Sequence, residues 1–130
     1  EVTPDEAIDA VMRGPFDGIG RFDHVFEPPT PDVEAAMRVF LRALVEARPG
    51  VAYDVGYDAM HGITVDIGTS IEVDLLVSVS MWNDDSWATL SGPMGTDRVK
   101  TRVVPRSEAT SLVQDALDRI DMVSSKEPAK

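Results

Sequence analysis

Eight carboxylates lie between Arg48 and Arg98, and no lysine or arginine lies among them. They are Asp54, Asp58, Asp66, Glu72, Asp74, Asp84, Asp85 and Asp97. The same interval has the strongest β character of the sequence. Side chains of one sign repel each other on a sheet and project a negative field, which favours a positively charged partner. The pattern therefore indicates an acidic surface rather than a particular reaction.

Histidine could make this interval reactive, but the chain has only two histidines. His61 lies close in sequence to Asp54 and Asp58, and a carboxylate–histidine pair can act as a general acid–base group or as half of a metal site. His24 is the only other imidazole, and its apolar neighbours favour packing. We therefore expect His61 to be an exposed turn residue.

Other motifs for catalysis or cofactor binding are missing from the sequence. The glycine-rich run 92–96 lacks the lysine and the strand–loop–helix context of a phosphate loop. The serines show no nucleophile-elbow pattern. The absence of cysteine excludes disulfides, thiolate nucleophiles and cysteine-ligated zinc. The sequence therefore predicts no enzyme activity, no cofactor and no metal.

The segment from Trp82 to Trp87 is the strongest candidate for a binding site. If the residues between them form a turn, the two indoles are cross-strand neighbours on the outward face of a hairpin, next to Asp84 and Asp85. Aromatic side chains with flanking carboxylates resemble the centre and rim of a protein-binding hot spot. The alternatives are an aromatic pair that only stabilises the hairpin, or indoles covered by residues 14–29.

Glu72 and Asp74 complete the predicted partner-binding set. If their strand adjoined the strand of Arg98, Lys100 and Arg102, the two rows would form a ladder of surface ion pairs, each worth about 0 to 1 kcal/mol. If another strand intervened, they would be separate acidic and basic surfaces. The sequence slightly favours the ladder.

Capping signals and apolar spacing predict the helices. Thr3-Pro4-Asp5-Glu6 has the residues of a capping box and predicts a helix to about Arg13. Thr30-Pro31-Asp32 repeats the cap signature, and apolar residues at three-and-four spacing predict a helix through Arg48. A third helix, capped by its first residue, is predicted at about 107–122.

Alternation of apolar and polar residues predicts four or five strands, at 51–58, 63–67, 71–82, 87–90 and 98–103. Short turns between them favour an antiparallel meander. We expect the helices to cover the face that bears Val73, Leu75, Val77 and Val79. The predicted fold is a single α+β domain over 1–130, a two-layer sandwich with two to three helices on one face of the sheet and frayed ends at 1–3 and 124–130.

Charge and composition restrict the partners and the compartment. A net charge of −11 argues against nucleic acid and anionic membrane. No apolar run approaches the roughly 20 residues of a membrane-spanning helix, so we expect a soluble protein without membrane insertion. Nine arginines against three lysines are typical of a high-GC bacterial genome. The chain begins with Glu1, which suggests that an upstream segment was removed; a cytoplasmic location is favoured unless that segment was an export or lipoprotein leader.

Two classes of function fit these properties. As a small, acidic, cysteine-free α+β chain, the protein is similar to the immunity proteins of bacterial toxin–immunity pairs, which implies stoichiometric binding to a protein with a basic surface. Secretion chaperones fit the same description. The second class is an exported domain that holds a small apolar ligand between helices and sheet, with residues 14–29 as a lid. Neither the partner's identity nor the oligomeric state follows from the sequence.

Overall fold

The computed structural model describes residues 2–14, 28–58, 62–68, 77–93 and 101–125. Its elements are α1 (Pro4–Met12), α2 (Pro31–Ala47), β1 (Ala52–Asp58), β2 (Gly62–Gly68), β3 (Val77–Met81), β4 (Trp87–Ser91), β5 (Arg102–Pro105), a 3-10 helix (Arg106–Ser111) and α3 (Leu112–Ser125). The strands form one antiparallel sheet in the order β1-β2-β3-β4-β5. The predicted α+β fold with an antiparallel meander is therefore confirmed.

The first two helices begin at the predicted caps. Thr3 Oγ1 accepts a hydrogen bond from the Glu6 N–H at 3.2 Å, and Glu6 Oε1 accepts one from the Thr3 N–H at 2.9 Å. Thr30 Oγ1 accepts from the Val33 N–H at 3.3 Å. Each bond satisfies an amide that has no partner within the helix, and a proline occupies the first turn of both helices.

The core lies between the helices and one face of the sheet. Strand β2 contributes Ile63, Val65 and Ile67, and β3 contributes Val77 and Val79, all of them buried. They join one apolar cluster with buried side chains of the helices, among them Ile8, Met37, Phe40, Leu41, Leu44, Leu112, Ala116 and Ile120. Full burial of a large aliphatic side chain stabilises the fold by about 1.5 to 3 kcal/mol. The helices therefore cover the face that carries Val77 and Val79, as the sequence predicts.

The third helical segment starts differently from its prediction. Residues Arg106–Ser111 form a 3-10 helix whose N-cap, Pro105, makes no side-chain capping bond, so Ser107 does not cap an α-helix. Glu108 departs from helical geometry, at φ −111° and ψ 21°, and the chain becomes α-helical only at Leu112. Tight 3-10 turns are common at helix termini, and here the turn buries Ala109 in the core.

Several predictions concern residues outside the described ranges. They include Glu72 and Asp74, the turn at His61, most of the loop at 14–29, Val73 and Leu75, and the basic residues Arg98 and Lys100. None of the helices that the structure describes is long and apolar enough to cross a membrane.

Candidate partner-binding surface

The face of the sheet turned away from the helices, here called the outer face, carries the side chains that alternate with the buried ones. Its members keep partial or full exposure and are Asp54, Gly56, Thr64, Asp66, Ser78, Ser80, Trp87, Thr89, Ser91 and Val103. Thr64 and Ser80 share a hydrogen bond of 3.2 Å between their hydroxyls. The outer face is thus polar in the middle of the sheet, because small hydroxyl side chains occupy it.

Two carboxylates face each other at the β1 side of the outer face. Asp54 pairs directly with Asp66 across β1 and β2, and Ser78 lies opposite Asp66 on β3. Burial raises the pKa of Asp66 and the charge of Asp54 raises it further, while a hydrogen bond from Ser78 lowers it. Like charges directly opposite each other on a sheet are destabilising. Among the described residues neither carboxylate forms an ion pair with a basic side chain.

The other side of the outer face carries exposed apolar side chains beside Thr89 and Ser91. Trp87 is 44% exposed and Val103, on the neighbouring strand, is 54% exposed. Trp87 lies opposite Pro105 of β5. The register of β3 and β4, continued one residue past the Met81–Ala88 pair, places Trp82 opposite Trp87. Strands lie about 4.8 Å apart, so this side is separated from the acidic pair by roughly three strand spacings.

The predicted site residues on the β3–β4 turn lie together at one end of this face. Asp84, Asp85 and Trp87 are exposed, and Trp82 is half-buried. Their positions agree with the predicted hairpin, whose turn occupies 82–86. Whether they bind a partner stays a prediction, and Glu72 and Asp74 lie outside the described residues.

The side chains of Arg106 and Asn83, which the sequence analysis did not single out, hold this turn from two sides. Arg106 Nη1 donates to the carbonyl oxygen of Trp82 at 2.6 Å and to that of Asp85. The backbone N–H of Arg106 donates to the carbonyl oxygen of Ser86 at 2.5 Å. A guanidinium shared between two carbonyls restrains a loop that would otherwise sample several conformations, because charge-assisted bonds are stronger than neutral ones.

On its other side the turn is tied to the start of α2 by Asn83. The Asn83 Oδ1 accepts from the Thr30 N–H at 3.0 Å, and its Nδ2 donates to the Pro28 carbonyl at 3.3 Å. Gly62 leaves the space for this side chain, since a Cβ there would lie 2.8 Å from Asn83 Oδ1 and its φ is +86°. The turn is therefore fixed from two directions before any partner arrives.

The predicted ladder between the acidic and basic rows stays a prediction, because Glu72, Asp74, Arg98 and Lys100 lie outside the described residues. Strand β4 lies between β3 and β5, so the two strands do not adjoin. Arg102 pairs in register with the buried Leu90, which places it on the helix side, where its Nη1 lies 3.4 Å from Asp115 Oδ2.

The arginines of the described chain engage carboxylates mainly on the helix layer. Arg38 contacts Asp5, Asp9 and Glu34 at 2.8, 2.5 and 2.7 Å, and these hydrogen bonds raise its pKa further. Arg48 holds Asp121 through two bonds of 2.7 Å, and the bond lowers the pKa of that carboxyl. Among the described residues, ion pairs are therefore concentrated on the helix layer, and none of them involves Asp54 or Asp66.

The described part of the chain contains no group of three or more histidine or carboxylate side chains that could hold a metal ion. His24 and His61 lie outside that part. No protein-family model, no curated protein and no solved structure matches the chain. Only the surface of the protein itself therefore bears on its function.

Proposed function

We propose that the protein binds a basic protein stoichiometrically through its outer face and the 82–87 turn, in the manner of a toxin-neutralising immunity protein. The observation that carries the proposal is the separation of charge and apolar area. Asp54 and Asp66 face each other and form no ion pair within the described part of the chain, and Trp87 is 44% exposed on the same face.

In this arrangement the carboxylates and the aromatic side chain affect different steps of binding, namely association and dissociation. Exposed carboxylates attract a basic surface over a distance and raise the association rate. A large aromatic side chain that becomes buried on contact slows dissociation, and such residues dominate the affinity of many interfaces. The restraints from Arg106 and Asn83 hold the turn in one conformation, so little ordering entropy is lost on binding.

The first test measures dissociation. The protein is used to capture partners from a cell lysate, the captured protein is purified, and its binding to variants is followed by surface plasmon resonance. We expect Trp87→Ala to weaken the complex by about 2 kcal/mol or more, chiefly through faster dissociation. Val39→Ala is the matched control, because Val39 is 50% exposed but lies on α2. Equal affinities for Trp87→Ala and the unmodified protein, with both folded, would remove Trp87 from the interface.

The second test measures association. The double variant Asp84→Asn with Asp85→Asn should bind more slowly, and the difference should grow at low salt, since exposed charges act through screened attraction. The control removes two exposed carboxylates from the helix layer, with Glu46→Gln and Asp118→Asn. If both double variants slow association equally, net charge and not this surface steers the encounter.

A further inference from the structure

The two edges of the sheet are built differently. Strand β5 has four residues and ends at Pro105, which leads directly into the 3-10 helix. Strand β1 has seven residues, pairs one to one with β2 over its whole length, and contains no proline, lysine or arginine. Natural proteins usually blunt an edge with such residues, a bulge or a short strand, because an open edge accepts another strand. Among the strands that the structure describes, β1 is thus the edge that no proline, bulge or short length protects, while the exposed charge of Asp54 repels an acidic strand only.

The side chains along β1 define what an added strand would have to carry. Asp54 is exposed on the outer face and has Asp66 beside it. Gly56 is exposed as well, and a Cβ built there meets no atom within 4 Å. On the helix side Tyr53 and Val55 are only half-buried and form the rim of the core. A neighbouring strand would therefore need basic residues on one face and apolar residues on the other.

We propose that the edge of β1 accepts an extended, alternately basic and apolar segment of the partner as a sixth strand of the sheet. The inference rests on the proposed function, and it states how the partner binds, namely by adding a strand to the sheet. A second copy of this chain is disfavoured as the source of the added strand, because each copy has a net charge of −11. Pairing of two β1 edges would also bring the Asp54 residues of both copies into one interface. Addition of a strand to a sheet edge obtains affinity from the backbone and specificity from alternate side chains.

The test uses a synthetic peptide of alternating lysine and valine with blocked ends. Amide hydrogen exchange of the full chain is followed by NMR with and without the peptide. We expect the alternate β1 amides that do not bond to β2 to exchange at least about tenfold more slowly when the peptide is present. The reason is that a hydrogen-bonded amide exchanges only when its bond opens. A peptide with N-methyl groups on one edge, and one of alternating glutamate and valine, should give no such protection.

Variants separate this inference from the proposed function. Asp54→Lys should abolish the protection of β1, since a lysine there repels the basic strand, whereas Asp118→Lys, at an exposed position on α3, should leave it. The inference is overturned if the β1 amides that do not bond to β2 are already protected in the free chain, or if the N-methylated peptide protects them equally. Persistence of the effect in Asp54→Lys, or self-association through β1, would also overturn it. Those outcomes leave the proposed function standing if Trp87→Ala still weakens the natural complex.

Discussion

Asp66 is the residue whose environment most clearly opposes its charge. Burial and the facing Asp54 raise its pKa above the ordinary aspartate value. A carboxyl whose pKa is raised by folding stabilises the fold fully at pH values below the ordinary pKa, and this contribution is lost as the pH rises through the raised pKa. At neutral pH the ionised side chain therefore weakens the native state.

Replacing Asp66 by asparagine should accordingly stabilise the protein. Asn retains a hydrogen-bond partner for Ser78 while removing the repulsion from Asp54, so we expect a gain of about 0.2 to 1 kcal/mol at pH 7. The gain should shrink at pH 3, where Asp66 is largely protonated in the native state. Urea denaturation at both pH values measures it, with Asp84→Asn as the control for loss of one exposed charge. A gain that is equal at pH 3 and pH 7 would contradict the electrostatic explanation.

At the scale of elements, the β3–β4 hairpin depends on Arg106, the residue that directly follows β5. Arg106→Ala removes the donors to the Trp82 and Asp85 carbonyls, and we expect a loss of about 1.5 to 3 kcal/mol in the free energy of unfolding. Arg42→Ala is a suitable control, because Arg42 is 57% exposed and surface ion pairs contribute less than about 1 kcal/mol. Chemical denaturation compares the two. Similar small losses would mean that the turn does not need Arg106.

The elements that the sequence predicted well are those set by neighbouring residues. Both caps act over three residues, from Thr3 to Glu6 and from Thr30 to Val33, and strand alternation is equally local. The anchors of the turn are not local, since Asn83 reaches a residue 53 positions away. Only strand order and register bring such pairs together. The same dependence explains why the ladder involving Arg102 could not be decided from the sequence.

For the whole molecule, we expect the effect of salt on stability to depend more on the positions of the charges than on the net charge. On the helix layer Arg38 is only 19% exposed and lies among three carboxylates, so salt screens this cluster incompletely. On the outer face Asp54 is exposed and Asp66 is half-buried, so salt reaches the repulsion between them from the side of Asp54. Salt should therefore relieve the repulsion of the sheet more than it weakens the attractions of the helices.

We therefore expect added NaCl to raise the free energy of unfolding at pH 7. At about 0.5 M the screening length is roughly 4 Å, short enough to reduce repulsion between neighbouring strands. The response should be smaller in the double variant Asp54→Asn with Asp66→Asn. The variant Asp84→Asn with Asp85→Asn has the same net charge and should keep most of the response, because its carboxylates lie on the turn. Denaturation curves across a salt series measure all three proteins, and equal responses in both variants would show that net charge, and not the facing pair, governs the effect.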